Sequence, residues 1–148
     1  MIGHLDTAQI DEVLYENVLG RIGCSNDKKV YVVPTNYVFD GRSIIAHAMP
    51  GEKIEMMRRN PDICFEVDQV QDITHWKSVI TWGTYQELKD ERERYAAMKL
   101  FTEKMIRLKL AVPLHGMDLG KERKFTDSTR SIVYRIVINE KTGRFENG

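Results

Sequence analysis

Cysteine, proline and unbroken apolar runs are all scarce in this chain. Its 148 residues include only two cysteines, Cys24 and Cys64, far apart and without the Cys-x-x-Cys or Cys/His spacing of a zinc or redox motif. Both read as reduced structural thiols. No run approaches the ~20 apolar residues that a membrane span needs. The opening Met1-Ile2-Gly3-His4-Leu5-Asp6 lacks the basic and apolar segments of a secretory signal. The expectation is a cytoplasmic protein with no membrane partner. Neither sign of charge is in excess, since Lys+Arg and Asp+Glu are both 22. The global basic field that draws a protein onto nucleic acid is therefore missing, and no nucleic-acid partner is expected. A Walker loop, a dinucleotide fingerprint, a Ser/His/Asp order and a paired-carboxylate signature are also missing, so hydrolase and kinase readings have no support.

What remains is the composition of an ordinary globular protein, 42% hydrophobic and 30% charged. The length is that of one domain, expected over residues 1–148 with no linker, repeat or low-complexity segment. Asp6 and Gln9 stand at capping-box spacing before Ile10, Val13, Leu14 and Val18, which predicts a helix over 6–18. Alternating residues and turn signals predict strands over 20–25, 29–38, 43–48, 63–67 and 78–88, with a helix over 52–59. In the 63–67 strand, Ile63, Phe65 and Val67 share one face, leaving Cys64 on the other. A second helix is expected from Asp90 to about residue 111, with Tyr95, Met98, Phe101, Met105 and Leu108 on its packing stripe. Residues 112–129 read as a long loop, and 131–138 as a last strand. The fold class is mostly β, an antiparallel barrel with helical inserts.

The chemistry concentrates between Tyr31 and Asp68. A strand enters Pro34-Thr35-Asn36-Tyr37, where Pro34 removes a ladder N–H and polar groups replace aliphatics, as suits a strand that faces a ligand. The next strand carries His47 near its end and stops at Pro50-Gly51, with Lys53 in the first turn of the following helix. Free amides at a helix start, together with a lysine, can cradle a phosphate. Taken alone, each residue has a plainer reading. Lys53 would be a solvated surface lysine, His47 a satisfied structural histidine, and Thr35, Asn36 and Tyr37 a locally bonded strand irregularity.

The ordered set of PTNY (34–37), IIAHA (44–48), GEK (51–53), RRNPDICFEVD (58–68) and WKSVITWG (76–83) shifts those readings. In order and spacing it resembles the split-barrel flavin-binding proteins related to pyridoxamine 5'-phosphate oxidase, and most closely the branch containing the nitroimidazole-resistance proteins. Tyr134-Arg135-Ile136 followed by Thr142-Gly143-Arg144 is similar to the family's ending, so the resemblance covers nearly the whole chain.

That resemblance implies a split β-barrel that forms a homodimer and holds FMN, or FAD in its place, in a cleft between protomers. It implies flavin contacts at Pro34, Thr35, Asn36, Tyr37, His47, Ala48, Lys53, Ser78 and Val79, with Lys53 on the phosphate and His47 also a candidate catalytic residue. Where the family often has a basic or imidazole residue before this lysine, the chain has Glu52, leaving Arg58 or Arg59 as substitutes. The implied activity is flavin-dependent redox chemistry on a small molecule, with nitroaromatic reduction the most specific candidate. Pyridoxamine 5'-phosphate oxidase activity itself is disfavoured, because residues 142–148 lack the histidine those enzymes carry near the C-terminus. The rival reading is a flavin- or haem-binding carrier or sensor without catalysis.

Overall fold

A computed structural model describes residues 1–108 and 131–148, so the loop expected over 112–129 lies outside the described residues. Strands β1 (Ile2–His4), β2 (Leu19–Ser25), β3 (Val30–Asn36), β4 (Val38–Phe39), β5 (Ser43–Ala48), β6 (Asp62–Asp72), β7 (His75–Glu87) and β8 (Ile132–Asn147) alternate with helices α1 (Thr7–Glu16), α2 (Glu52–Arg59) and α3 (Glu91–Arg107). Every strand pairing is antiparallel, and the sheet runs β3-β2-β6-β7-β8-β5-β4 with β1 added alongside β8.

Local chemistry sets most boundaries. Asp6 and Gln9 form the expected reciprocal cap of α1, at 2.8 and 2.9 Å. The Asn26 side chain accepts the N–H groups of Lys28 and Lys29 and so turns β2 into β3. Asp40 does the same for Arg42 and Ser43, with Gly41 at a φ of 98° that a side chain would resist.

Three expectations needed extension. β6 and β7 reach beyond 63–67 and 78–88 because their polar ends still pair with each other, from Asp68↔Ser78 to Asp72↔His75. β8 runs past Ile138 to Asn147 because β7 and β1 flank its polar half. The expected 29–38 strand splits at Tyr37 into β3 and β4.

The sheet curls over an inner core that includes Ile22, Ile44, Phe65, Val67, Val79 and Tyr134, with α1 and α2 contributing Leu14, Ile54 and Met57. A second core lies on the other face, where Ala97, Met98 and Phe101 of α3 cover Val38, Ile45 and Val133. The α3 stripe is thus rotated from the expected one. Tyr95 is 61% exposed and Leu108 38%, while Lys104 is buried. The rotation follows from Lys104, whose ammonium bonds the Asn17 and Tyr37 carbonyls and sits 4.2 Å from the Tyr37 ring centroid. By contrast, β3, β2, β6 and β7 present an outer face with Val30 75% exposed, Val32 66% and Trp82 38%.

Candidate functional site

The start of α2 is the first element of the site. Its N-cap, Gly51, offers no side chain, so the leading amides of the helix have no side-chain cap. Lys53 is half-buried there, and burial lowers its pKa while the neighbouring Cys24 pulls the other way. Glu52, one residue earlier, is held by Lys29 of the β2–β3 turn at 2.6 Å. Neither anticipated substitute lies at this end. Arg58 is engaged by Glu55 at 2.9 Å and Glu87 at 2.5 Å, and Arg59 is exposed in the last turn. The second cation at the α2 entrance is Lys29, which the motif comparison passed over because it stands in a turn before the first matching segment.

His47 pairs across to Val133 and follows strand alternation onto the face of Ile45, away from Ala46 and Tyr134. Its ring meets Phe101 of α3 edge-on, with centroids 5.0 Å apart. Burial, and then the Lys53 charge, lower its pKa, so the imidazole is neutral at pH 7. Ala48 lies half-buried at the margin of the inner core.

The PTNY segment divides. Among the described residues β3 hydrogen-bonds only to β2, so Pro34 costs that pairing nothing on the other edge. Pro34 and Asn36 are exposed on the outer face, and Thr35 is half-buried on the inner one, donating to the Asn36 carbonyl at 3.2 Å. Tyr37 is fully buried and its polar atoms are committed: the hydroxyl donates to the Leu14 carbonyl at 2.7 Å, and the N–H donates to that of Val18. Its side chain therefore ties β3 to α1 in this structure. The inner-face Tyr134 hydroxyl, near Thr35 and Cys24, is buried with no well-aligned hydrogen-bond partner among the described residues.

Ser78 and Val79 fall on opposite faces. Val79 belongs to the inner core, whereas Ser78 donates to Glu66 at 3.0 Å on the outer face. Arg21 approaches Glu66 at 3.9 Å and Asp68 at 3.8 Å, forming a polar row beside Pro34. Burial raises the pKa of Glu66. The structure thus brings Lys53, His47 and Ala48 together with Cys24 and Lys29, and it places Pro34, Asn36 and Ser78 on the outer face. Strand alternation could have found Cys24, since it shares a face with Ile22.

Openings on the surface do not single out these residues. A cleft of about 850 Å³ lies between α1 and the β6–β7 hairpin, lined in part by Gln9, Gln69, Trp76 and Phe145. A groove of about 490 Å³ on the outer face is lined by Ser25, Val30, Val32, Cys64 and Trp82. Neither includes a residue of the 34–37, 44–48 or 51–53 segments, although Trp76 lines the first and Cys24 and Trp82 the second. Among the described residues, no group of three His, Cys, Asp or Glu side chains could hold a metal ion, and no helix is long and apolar enough to cross a membrane.

Comparison with known proteins supplies context for this geometry. The family described as pyridoxamine 5'-phosphate oxidase matches residues 6–145. A Rhizobium meliloti protein of uncharacterised function is 39% identical over 70 residues, covering 47% of this chain and 46% of that one, so the match spans about half of each. Among solved structures, an FAD-binding protein from Mesorhizobium loti is 28% identical, with a TM-score of 0.75 and 99% of both chains covered. A candidate 5-nitroimidazole antibiotic resistance protein from Bacteroides thetaiotaomicron has a TM-score of 0.73 at 18% identity, covering 98% of this chain and 87% of its own. The FAD-binding protein from Mycobacterium smegmatis has a TM-score of 0.70 at 22% identity, covering 99% and 100%. The last two carry the likeness of fold alone.

Proposed function

The chain belongs to the pyridoxamine 5'-phosphate oxidase family, with its split-barrel fold, and from that premise we propose that it binds a flavin and uses it in redox chemistry on a small molecule. The observation that carries the reading is the α2 entrance, where uncapped amides and the half-buried Lys53 stand beside the end of β5. Lys53 has no acidic partner among the described residues, and the group it suits is a phosphate. The donor set therefore fits the phosphate end of a flavin nucleotide. When bound, a flavin supplies electron transfer to and from the substrate.

The chain's own residues have simpler tasks. Lys53 and the α2 amides hold the phosphate. Thr35 and Ala48, both toward the inner face, border the ring. His47, neutral, set edge-on against Phe101 and within the electrostatic reach of Lys53, fixes the edge of the site. The outer sheet face, with Val30, Val32 and Trp82 exposed, supports the homodimer reading, because so contiguous an apolar surface favours a second copy. Nitroaromatic reduction is the finer reading of the activity.

The test is the absorption spectrum of purified protein and of flavin-stripped protein titrated with FMN or FAD. Flavin bands and saturable binding are expected. A colourless protein that ignores both nucleotides would refute the proposal, and a Soret band would favour the haem carrier instead. Sedimentation at several concentrations checks the dimer.

A further inference from the structure

Strands β6, β7 and β8 stay paired beyond the core, and their inner face changes character on the way. The last covered row is Val67–Val79–Gly143, roofed by Leu5 and by Ile10 of α1 so closely that a Cβ on Gly143 would stand 2.8 Å from Ile10 and 2.9 Å from Leu5. One row outward the roof ends. Gln69, Lys77 and Phe145 are cross-strand neighbours there, each about 5 Å from the next, and they line the cleft of about 850 Å³ beside α1.

Phe145 pairs with Gly3 of β1, and its ring lies where a Cβ on Gly3 would be only 2.6 Å away, so the missing side chain makes room for it. An aromatic wall thus stands next to Lys77. Lys77 is half-buried, and no salt bridge among the described residues includes it. On the α1 wall, the Gln9 carbonyl oxygen accepts the Asp6 N–H at 2.9 Å, which leaves the amino group of that side chain as a second donor. The acidic groups nearby are engaged or face away. Asp68 lies on the outer face with Arg21 at 3.8 Å, Glu146 alternates onto that same face opposite Trp76, and Glu16 is held by Gln69 at 3.0 Å. His75, at the rim, is bonded to Asp72 at 2.9 Å.

The geometry points to a binding site for a small aromatic carboxylate, its charge on Lys77 and Gln9 and its ring against Phe145 and Leu5. A half-buried ammonium without a counter-ion suits one negative charge, and the phenyl wall beside it suits a planar apolar body. The volume is that of a small-molecule pocket, roughly 300–1,000 Å³. No residue of the 34–37, 44–48 or 51–53 segments lines the cleft, so it is separate from the α2 entrance and takes its ligand whether or not a flavin is bound.

Benzoate is the probe and benzamide its uncharged counterpart, each titrated into isotope-labelled protein, flavin-free and FMN-saturated, and followed by NMR. Benzoate is expected to shift the backbone amides of Lys77 and Phe145 and the side-chain amides of Gln9 and Gln69, with the same affinity in both states. Benzamide binds at least about tenfold more weakly, because the charge-assisted contact is lost. Lys77→Met, its spectrum still that of a folded protein, removes the difference between the two probes, and Phe145→Leu weakens both alike. Equal affinity of wild type for the two probes overturns the inference, as does the absence of any saturable shift. Shifts confined to the start of α2, or benzoate displaced by FMN, would place the carboxylate in the phosphate cradle and overturn it as well.

Discussion

Replacing Lys104 by methionine probes a cost built into the fold. Lys104 is 1% exposed, and among the described residues its ammonium meets two backbone carbonyls and the face of the Tyr37 ring. Burial, with a smaller contribution from Arg107, lowers its pKa from 10.5 to about 8. Each pH unit is worth about 1.4 kcal/mol, so keeping this lysine charged in the fold costs about 3 kcal/mol below pH 8. The unfolded chain keeps the proton up to about pH 10, while the folded chain releases it near pH 8. Between those values the unfolded state binds more protons, so wild-type stability rises with pH. Methionine fills the same channel without charge, but it leaves the Asn17 and Tyr37 carbonyls unbonded, at a cost of about 1–3 kcal/mol. The two effects nearly cancel at pH 7. Lys104→Met is therefore expected to lie within about 2 kcal/mol of wild type at pH 7 and to lose about 2 kcal/mol relative to it by pH 9.5. Urea unfolding of both proteins at half-unit steps from pH 7 to 9.5, with unchanged m-values, measures this. Parallel stability curves would refute the reasoning. The range stops short of pH 10 because burial raises the pKa values of Tyr37, Tyr85 and Tyr134, whose favourable contributions fade once the unfolded phenols ionise.

Lys53→Ala is expected to weaken FMN and FAD binding at least about tenfold without lowering the melting temperature, since a charge-assisted contact contributes about 1.5–3 kcal/mol; unchanged affinity in a fluorescence titration would remove Lys53 from the phosphate. Gly83→Ala should destabilise the protein by more than about 2 kcal/mol, because the added carbon would lie 2.3 Å from the Val137 carbonyl oxygen at the β7–β8 bulge. Chemical unfolding tests it, and a neutral effect would show that the bulge relaxes. Tyr134→Phe should stabilise flavin-free protein by about 1 kcal/mol, since the buried hydroxyl it deletes has no well-aligned partner. A loss of stability would mean that the hydroxyl does bond in solution, most simply to Thr35.

The sequence was most legible where local chemistry decides structure. β5 and α2 match their expected bounds because Pro50-Gly51 and Asn60-Pro61 punctuate them, and the Asp6/Gln9 spacing encodes a cap that forms. Strand lengths were less legible. The polar stretches 68–72 and 139–147 become strand only because a neighbour lies alongside, and a pairing partner leaves no mark in local periodicity. β1, three residues long, was missed for the same reason. At the site, residue identity foretold the place of Lys53 but not its surroundings. Lys29 reaches Glu52 from across a turn, and Tyr37, expected beside a ligand, is drawn inside by Leu14 and Lys104, which are remote in sequence. The face occupied by His47 turned on strand parity and on Phe101, over fifty residues later.

The central position of β8 governs how the chain must assemble. It pairs with β7 along most of its length, and with β5 and β1 along either half, yet it follows all three in sequence. On a ribosome, β5 and β1 therefore wait without this neighbour while more than eighty residues are added after Ala48. The β2–β3 and β6–β7 hairpins can form early, but the sheet joins into one cooperative unit only when β8 threads between its partners. Such non-local closure makes for slow folding, in the millisecond-to-second range typical of barrels, and leaves strand edges open to aggregation meanwhile. Mutations that weaken β8 pairing should lower soluble yield more than they lower the melting temperature of the protein that does fold.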